Sequence, residues 1–460
     1  MAADRAFVIT TLAEYQTRFW LPVARHLQAL GVRPSFVSFD DRSSEMIARG
    51  GFPAIALGAI EPMPSPARQA EIFERFGIDR LAFRTSHERF AFGRTDTAAM
   101  HEKLARSALA AERAIAAAGA QGKVTMVQEV GGFLSVIGSF FAARAAGIDN
   151  WFIEPSFFRG RISLTLNSFA APAPTGGDCA PTAEMRDYLD ATLARGAIVI
   201  PEKDAHQYRS AVTKVVNVRN ARRLAEKLRD KYLLGKRQEF GFIGNQVGTH
   251  LKMIGNSRKL NAHYTELGRL GSFVYYPLHV PGDMALTIRS PQYLDQLALV
   301  DYLCRTLPDG TRLALKEHPA MVGALDAERM IALLQRYDNL ALIPPTTNNY
   351  AVMRQARCVV SVNSKSGAEA GLLGKSVFVL GDAFYRGAPF ALPVGAITDL
   401  PPRLAALLAE APADLPPPAY LDWFACLWRQ SWPGELYAAS EAKAEEFAHS
   451  LVQGAGSIPS

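Results

Sequence analysis

The sequence predicts an α/β protein with two doubly wound domains, and three observations carry that expectation. Apolar, strand-like runs alternate with helical stretches from the N-terminus to about residue 153, and more regularly from about 273 to 380. The stretch between about 203 and 260 is basic and lacks strand signals. Three polar clusters fall where strands of the second half should end. Alternating strands and helices imply βαβ units and a parallel sheet. A length of 460 residues suits two or three domains better than one.

In the first half, residues 7–11 form a short apolar run. Residues 14–30 follow with helical spacing and stop at Gly31. Residues 35–39 and 54–57 read as strands, and 65–120 as helical, rich in Ala with an Arg-rich polar face. A strand at 124–128, the pair Gly131-Gly132, a helix through Ala146 and a strand at 151–153 complete that half. In the second half, strands are expected at 273–278, 312–316, 340–343, 358–362 and 377–380. Helices are expected at 291–307, 326–337, 349–356 and 366–373. These patterns divide the chain into a first domain at 1–200, a basic helical connection at 201–265, a second domain at 266–400, and a Pro-rich linker with a helical tail at 401–460.

Composition narrows the class. Apolar residues make up 49% and charged residues 20%, which suits packed cores and argues against a disordered chain. Cys179, Cys304, Cys358 and Cys426 lie far apart with no zinc-type spacing and are expected as reduced thiols in a cytoplasmic protein, Cys304 and Cys358 as core residues. The N-terminus lacks the pattern of a signal peptide. The apolar stretch at 131–143 falls short of the ~20 residues a membrane-spanning helix needs. Residues 203–259 hold fourteen Lys/Arg against four Asp/Glu, a balance of +10 against +6 for the whole chain. The basicity is therefore local. An anionic membrane surface on the cytoplasmic side, or an anionic glycolipid, is the expected partner. Nucleic acid is not, because aromatic residues are not interleaved with the basic run.

The polar clusters carry the chemistry. They are YYPLHVPGD at 275–283, LALKEHP at 313–319, and SVNSKSGAEAGLLGKSVFVLGDAFY at 361–385. Doubly wound sheets bind ligands outside the carboxyl ends of their strands. In the third cluster a strand ends at Val362, and Asn363, Ser364, Lys365, Ser366 and Gly367 open a helix. Free N–H groups, hydroxyls and the helix dipole favour a phosphate there. Ser366 also fits an N-cap, with Glu369 completing a capping box. His318, between Lys316-Glu317 and Pro319, can donate an imidazole N–H to a phosphate oxygen.

These motifs resemble the capsule polysaccharide biosynthesis family, which includes bacterial β-Kdo transferases. KEHP and VNSKSGAEAGLLGKSVFVLGDAFY carry the resemblance, supported by PLHVPGD, with His279 where Gln is usual, and by FIEPSFFRGR at 152–161. It covers about 120–390. The resemblance implies a GT-B fold of two Rossmann-like domains around a cleft, and a glycosyltransferase with no metal and no cofactor. It implies a nucleotide-sugar donor such as CMP-Kdo and a glycan or glycolipid acceptor. His318, Pro319, Lys316 and the turn from Asn363 to Gly367, with Glu369, would hold the nucleotide. Asp283 would lie near the anomeric carbon, and Glu154 would be an acid/base from the facing domain.

Glycosyl transfer passes through an oxocarbenium-like state, which one carboxylate can attack or stabilise while another handles the acceptor proton. Each candidate has a structural alternative. Asp283 can be a turn residue after Pro281-Gly282, Glu154 can belong to a loop ion pair, and Glu129 is a rival acid in the first domain. A GT-B nucleotide-sugar epimerase and a non-catalytic biosynthesis or export protein are the alternative readings of the whole.

Overall fold

The structure is a computed structural model describing residues 5–63, 65–120, 122–175, 179–196, 225–241 and 243–457. Two sheets organise it. The first contains the parallel strands β1 (Arg5–Thr11), β2 (Val32–Ser38), β3 (Ala54–Ala56), β4 (Lys123–Glu129) and β5 (Asp149–Pro155). β6 (Arg161–Leu166) pairs antiparallel with β5. The second contains β7 (Phe273–Pro277), β8 (Arg312–Lys316), β9 (Leu340–Ile343), β10 (Cys358–Ser361), β11 (Val377–Val379) and β12 (Ala391–Pro393), all parallel. A two-residue strand, β13 (Trp432–Pro433), returns to the first sheet against β6.

The spatial orders are β13-β6-β5-β4-β1-β2-β3 and β12-β11-β10-β7-β8-β9. Both are doubly wound. The chain reverses direction across the sheet between β1 and β4 in the first and between β7 and β10 in the second, so crevices open at those carboxyl ends. The sheets form because their strands are apolar on both faces. Val359 and Val360 are wholly buried, as are Leu313 and Leu315, the pattern expected when helices cover both faces.

The C-terminal region does not behave as one tail. The helices Leu400–Ala409 and Pro417–Arg429 pack on the second domain, through Leu400 and Leu404 and through Phe424 against Phe390. β13 and the helix Glu441–Ser457 instead join the first domain. Phe447 sits edge-on to Phe19 and Trp20 of the helix Glu14–Ala29, at ring separations of 4.9 and 5.7 Å. Burying such a ring contributes about 2–3 kcal/mol.

The stretch 65–120, expected as helical, holds four helices, at Pro66–Phe76, Leu81–Arg84, Ser86–Phe92 and Thr97–Gly119. Left-handed Gly77 and Gly93, with φ of 63° at both, end the first and third. Residues 203–224 of the basic segment lie outside the described residues. Its later part docks on both domains. Arg42 donates to Asp230 at 3.0 Å and Lys103 to Glu239 at 2.8 Å on the first. Asn256 donates to the carbonyls of Gly323 and Leu325 at 3.0 and 2.8 Å on the second.

The cysteine expectation is corrected. Cys179 and Cys426 form a disulfide with Cα atoms 5.0 Å apart. Their 247-residue separation hid the pairing. Cys304 and Cys358 are buried thiols, and burial pushes both up to about 12.

Candidate active site

The second domain contributes three loops beside its crevice. The first follows β7. Val280 accepts from the Asp283 N–H at 3.1 Å, closing a turn through Pro281-Gly282. Asp283 then caps the short helix Met284–Thr287, its Oδ1 accepting from Ala285 N–H at 2.8 Å. Its side chain remains exposed at the crevice. His279, on the same loop, is held by both of its backbone groups. Its N–H donates to Gln296 at 2.7 Å and its carbonyl accepts from Gln296 at 3.1 Å. Its buried Nε2 meets no partner among the described residues. Burial pushes the ring down to about 4, opposed by nearby Asp283 and assisted by His318. His279, His318 and Asp283 thus converge on one place.

The second loop follows β8. Glu317 is a buried anchor, accepting from Gly323 N–H at 2.8 Å and from the Tyr264 hydroxyl at 3.0 Å. Burial raises its pKa. His318 Nδ1 accepts from Ala320 N–H at 3.3 Å, and Pro319 follows it in the half-buried turn. Lys316 is buried at the strand end. Burial pushes it down to about 8, opposed by Glu369.

The third loop follows β10, and here the side-chain roles differ from those expected. The N-cap is Ser364, not Ser366. Ser364 Oγ accepts from Ser366 N–H at 3.3 Å, opening the helix Lys365–Leu372. Ser366 Oγ accepts instead from Asn349 at 3.1 Å, and Glu369 is buried beneath it near the same amide, so no capping box forms. Asn363 turns inward, donating to the Ala285 carbonyl at 2.6 Å and to Ser290 at 3.1 Å. It ties the first loop to the third. Gly367 makes room for a protein side chain, because a Cβ there would strike the Tyr385 hydroxyl. Tyr385 in turn donates to the Ser364 carbonyl at 2.8 Å. The Lys365 ammonium lies 5.3 Å from the centre of the Phe157 ring of the facing domain. Of the expected phosphate-binding group, Asn363, Gly367 and Glu369 therefore build the turn, while His318, Ser364, Lys365 and Ser366 remain half-buried at its mouth.

The first domain brings two expected carboxylates to its strand ends, and both are engaged. Glu129 accepts from the Tyr437 hydroxyl of the C-terminal segment. Glu154 forms a two-pronged ion pair with Arg289, at 3.0 and 2.5 Å. Arg289 also donates to the carbonyls of Phe169 and Ala170 at 2.7 and 3.1 Å. Burial lowers the Arg289 pKa, but Glu154, Asp382 and Asp283 outweigh it and hold the charge. Among the described residues Arg289 thus pairs with Glu154 alone, while Asp283 adds a weaker, longer-range attraction.

Sequence reasoning missed Arg289 and His87. Both lie in runs without a motif, and His87 reads as part of a solvated helical face. In the structure His87 is 4% exposed at the seam between the domains, with Nδ1 at 2.8 Å from Thr287 Oγ1. Burial pushes its ring down to about 4, against the nearby charges of Asp283 and Glu88 and with that of Lys103. Beneath it Glu88 is wholly buried and accepts from Arg94 and Lys103 at 2.6 Å each and from Leu134 N–H at 3.0 Å. Burial raises the Glu88 pKa, but those donors hold it below the usual value. Among the described residues no group of three or more His, Cys, Asp or Glu could hold a metal ion.

Two doubly wound domains whose facing strand ends carry these groups define a GT-B-like protein. Residues 200–391 match the family described as capsule polysaccharide biosynthesis protein, so the resemblance read from the motifs is borne out there. FixF of Sinorhizobium fredii is 30% identical over 132 residues, 28% of this chain and 31% of that protein. The match thus spans about a third of that relative's length. Among solved structures, the β-Kdo 2,7-transferase KpsC of Thermosulfurimonas dismutans is 15% identical at a TM-score of 0.34, covering 75% of this chain and 89% of that one. The calicheamicin glycosyltransferase CalG4 is 12% identical at 0.31, covering both chains fully. The UDP-GlcNAc 2-epimerase of Neisseria meningitidis is 12% identical at 0.31, covering 98% of this chain and 99% of that one.

Proposed function

We propose that this protein is a glycosyltransferase of bacterial surface polysaccharide synthesis that uses a nucleotide-activated sugar, with CMP-Kdo as the donor. The observation that carries this reading is the placement of His279 and Asp283 on the loop after β7, of His318 on the adjacent loop after β8, and of Asn363 tying the first loop to the Ser364 helix start, in a chain whose residues 200–391 match the capsule family. His318, Ser364 and Lys365 offer donors to a phosphate. The single phosphate of a CMP sugar suits one helix start. Asp283 stabilises or attacks the anomeric centre, and Glu154 acts on the acceptor once substrate displaces Arg289 from it. A glycan or glycolipid acceptor enters from the first domain.

The test is release of CMP from CMP-Kdo, with an acceptor glycan present. Asp283→Asn keeps the size, removes the charge, and should lower kcat by about a hundredfold or more while leaving CMP affinity unchanged. His318→Ala and Ser364→Ala should each weaken CMP binding by about 1–3 kcal/mol. Parental turnover by Asp283→Asn would remove the catalytic assignment. Unchanged CMP affinity in both alanine variants would remove the nucleotide site. Stabilisation by UDP and not CMP in a thermal-shift screen would favour the epimerase reading.

A further inference from the structure

We infer that His87 and Thr287 form a hydrogen-bonded chain across the domain seam that positions Asp283. The inference rests on the reading of Asp283 as the residue near the reacting carbon. Thr287 Oγ1 donates to the Asp283 carbonyl at 3.1 Å and lies 2.8 Å from His87 Nδ1. A hydroxyl has one proton. With that proton on the Asp283 carbonyl, Nδ1 must be the donor to Thr287, and Nε2 carries the bare lone pair. Nε2 is buried and meets no partner among the described residues, as this tautomer requires for it not to strand a proton.

The surroundings hold the chain rigidly. Ser86 Oγ, one residue before, donates to the Phe83 carbonyl at 2.6 Å and lies 3.3 Å from the Thr287 carbonyl, so the first domain lies against Thr287 at two atoms. The His87 ring is edge-on to Phe133 at 4.8 Å, and a Cβ at Gly132 would strike it. Glu88 pins the same helix to Arg94, Lys103 and Leu134. On the other side Gly282 lies against Ala91, where an added Cβ would come within 3.0 Å of Ala91 Cα. The turn bearing Asp283 is therefore seated on the first domain. Contact between the domains sets the place of a carboxylate that belongs to the second. Such an arrangement would make the site complete only when the cleft is closed.

Two measurements test this. Nitrogen-15 NMR at pH 7 should show His87 protonated at Nδ1 and bare at Nε2, with the Nδ1 signal shifted by Thr287→Val. The opposite tautomer, or no shift, overturns the chain whatever the substrate is. In CMP release from CMP-Kdo, His87→Leu and Thr287→Val should each lower kcat by about tenfold or more, with KM within about twofold. His87→Asn, which keeps a donor near the Nδ1 position, and Thr287→Ser should recover part of the rate. The double variant should be no worse than either single one, as expected for members of one chain. Parental kcat in Thr287→Val, or equal loss in His87→Leu and His87→Asn, overturns the proposal. Thr287→Val changes no ring packing and carries the test if His87→Leu folds poorly. If Asp283→Asn is inactive but Thr287→Val is not, positioning fails alone. If Asp283→Asn turns over normally, the underlying reading fails.

Discussion

The helix start at Ser364 and the seam at His87 are both polar, yet they are built differently. At the helix start nearly every bond stays within the second domain. Ser364, Ser366, Asn349 and Tyr385 satisfy one another. At the seam the partners come from different domains, as in His87 with Thr287 and Glu154 with Arg289. A site bonded within one domain persists whether the cleft is open or closed. A site bonded across two exists only in the closed arrangement, so substitutions there should couple stability to activity.

The sharpest break in that contrast is Arg289→Ala. The Arg289 side chain is 8% exposed and that of Glu154 16%, so removing the cation strands a largely buried carboxylate. A loss of about 3–5 kcal/mol is expected. Chemical denaturation should show it, and a loss under about 1 kcal/mol would mean the seam opens freely. Arg289→Ala with Glu154→Gln should recover part of the loss, because no charge is then left unpaired.

Acid titration comes next. The folded-state pKa of His87 is pushed down to about 4 from an ordinary 6.5. Below about 6.5 the unfolded chain takes up a proton that the folded chain refuses, so stability present at pH 7 falls as pH drops through 6.5 towards 4. The effect is on the order of 3 kcal/mol. His87→Leu removes that titration, and its stability should fall less steeply over the same window. Identical slopes for variant and parent would place the titrating group elsewhere.

At the helix start the effect is smaller. Ser364→Ala removes the side-chain cap and should cost about 1 kcal/mol by thermal unfolding. Ser366→Ala, once expected to be the cap, should leave the helix intact and loosen only the Asn349 contact. The reverse ranking would contradict the observed cap.

Membrane binding is the smallest expected effect. Among the described residues of the basic segment, Lys236 pairs with Glu45 and Lys259 with Glu328, carboxylates that lie outside it. Part of the +10 is therefore compensated. Tyr232, Leu233 and Leu234 are nevertheless 69%, 79% and 54% exposed. Salt-sensitive cosedimentation with anionic vesicles, and none with neutral ones, is the expected result. Equal pelleting with both would remove the electrostatic partner.

Much of the site's placement was legible in sequence. The 312–316 and 340–343 strands match β8 and β9, because short apolar runs bounded by polar turns give a strong local signal. β6, β12 and β13 were missed. β12 and β13, of three and two residues, are too short to show a period, whereas the alternation of β6 is itself a legible strand pattern. Asp283 was legible because Pro-Gly announces a turn, whereas Arg289 and His87 have no neighbours in sequence that announce their partners.

The sequence by itself determined two doubly wound domains, their order, and the polar loops after β7, β8 and β10. These follow from hydrophobic periodicity and turn residues, which act over a few positions. Only the tertiary structure decided the Cys179–Cys426 bond, the split course of the C-terminal region, the Glu154–Arg289 pair and the seating of Asp283 beside His87. These contacts join residues more than a hundred positions apart, and burial and geometry select them only once both sheets have folded.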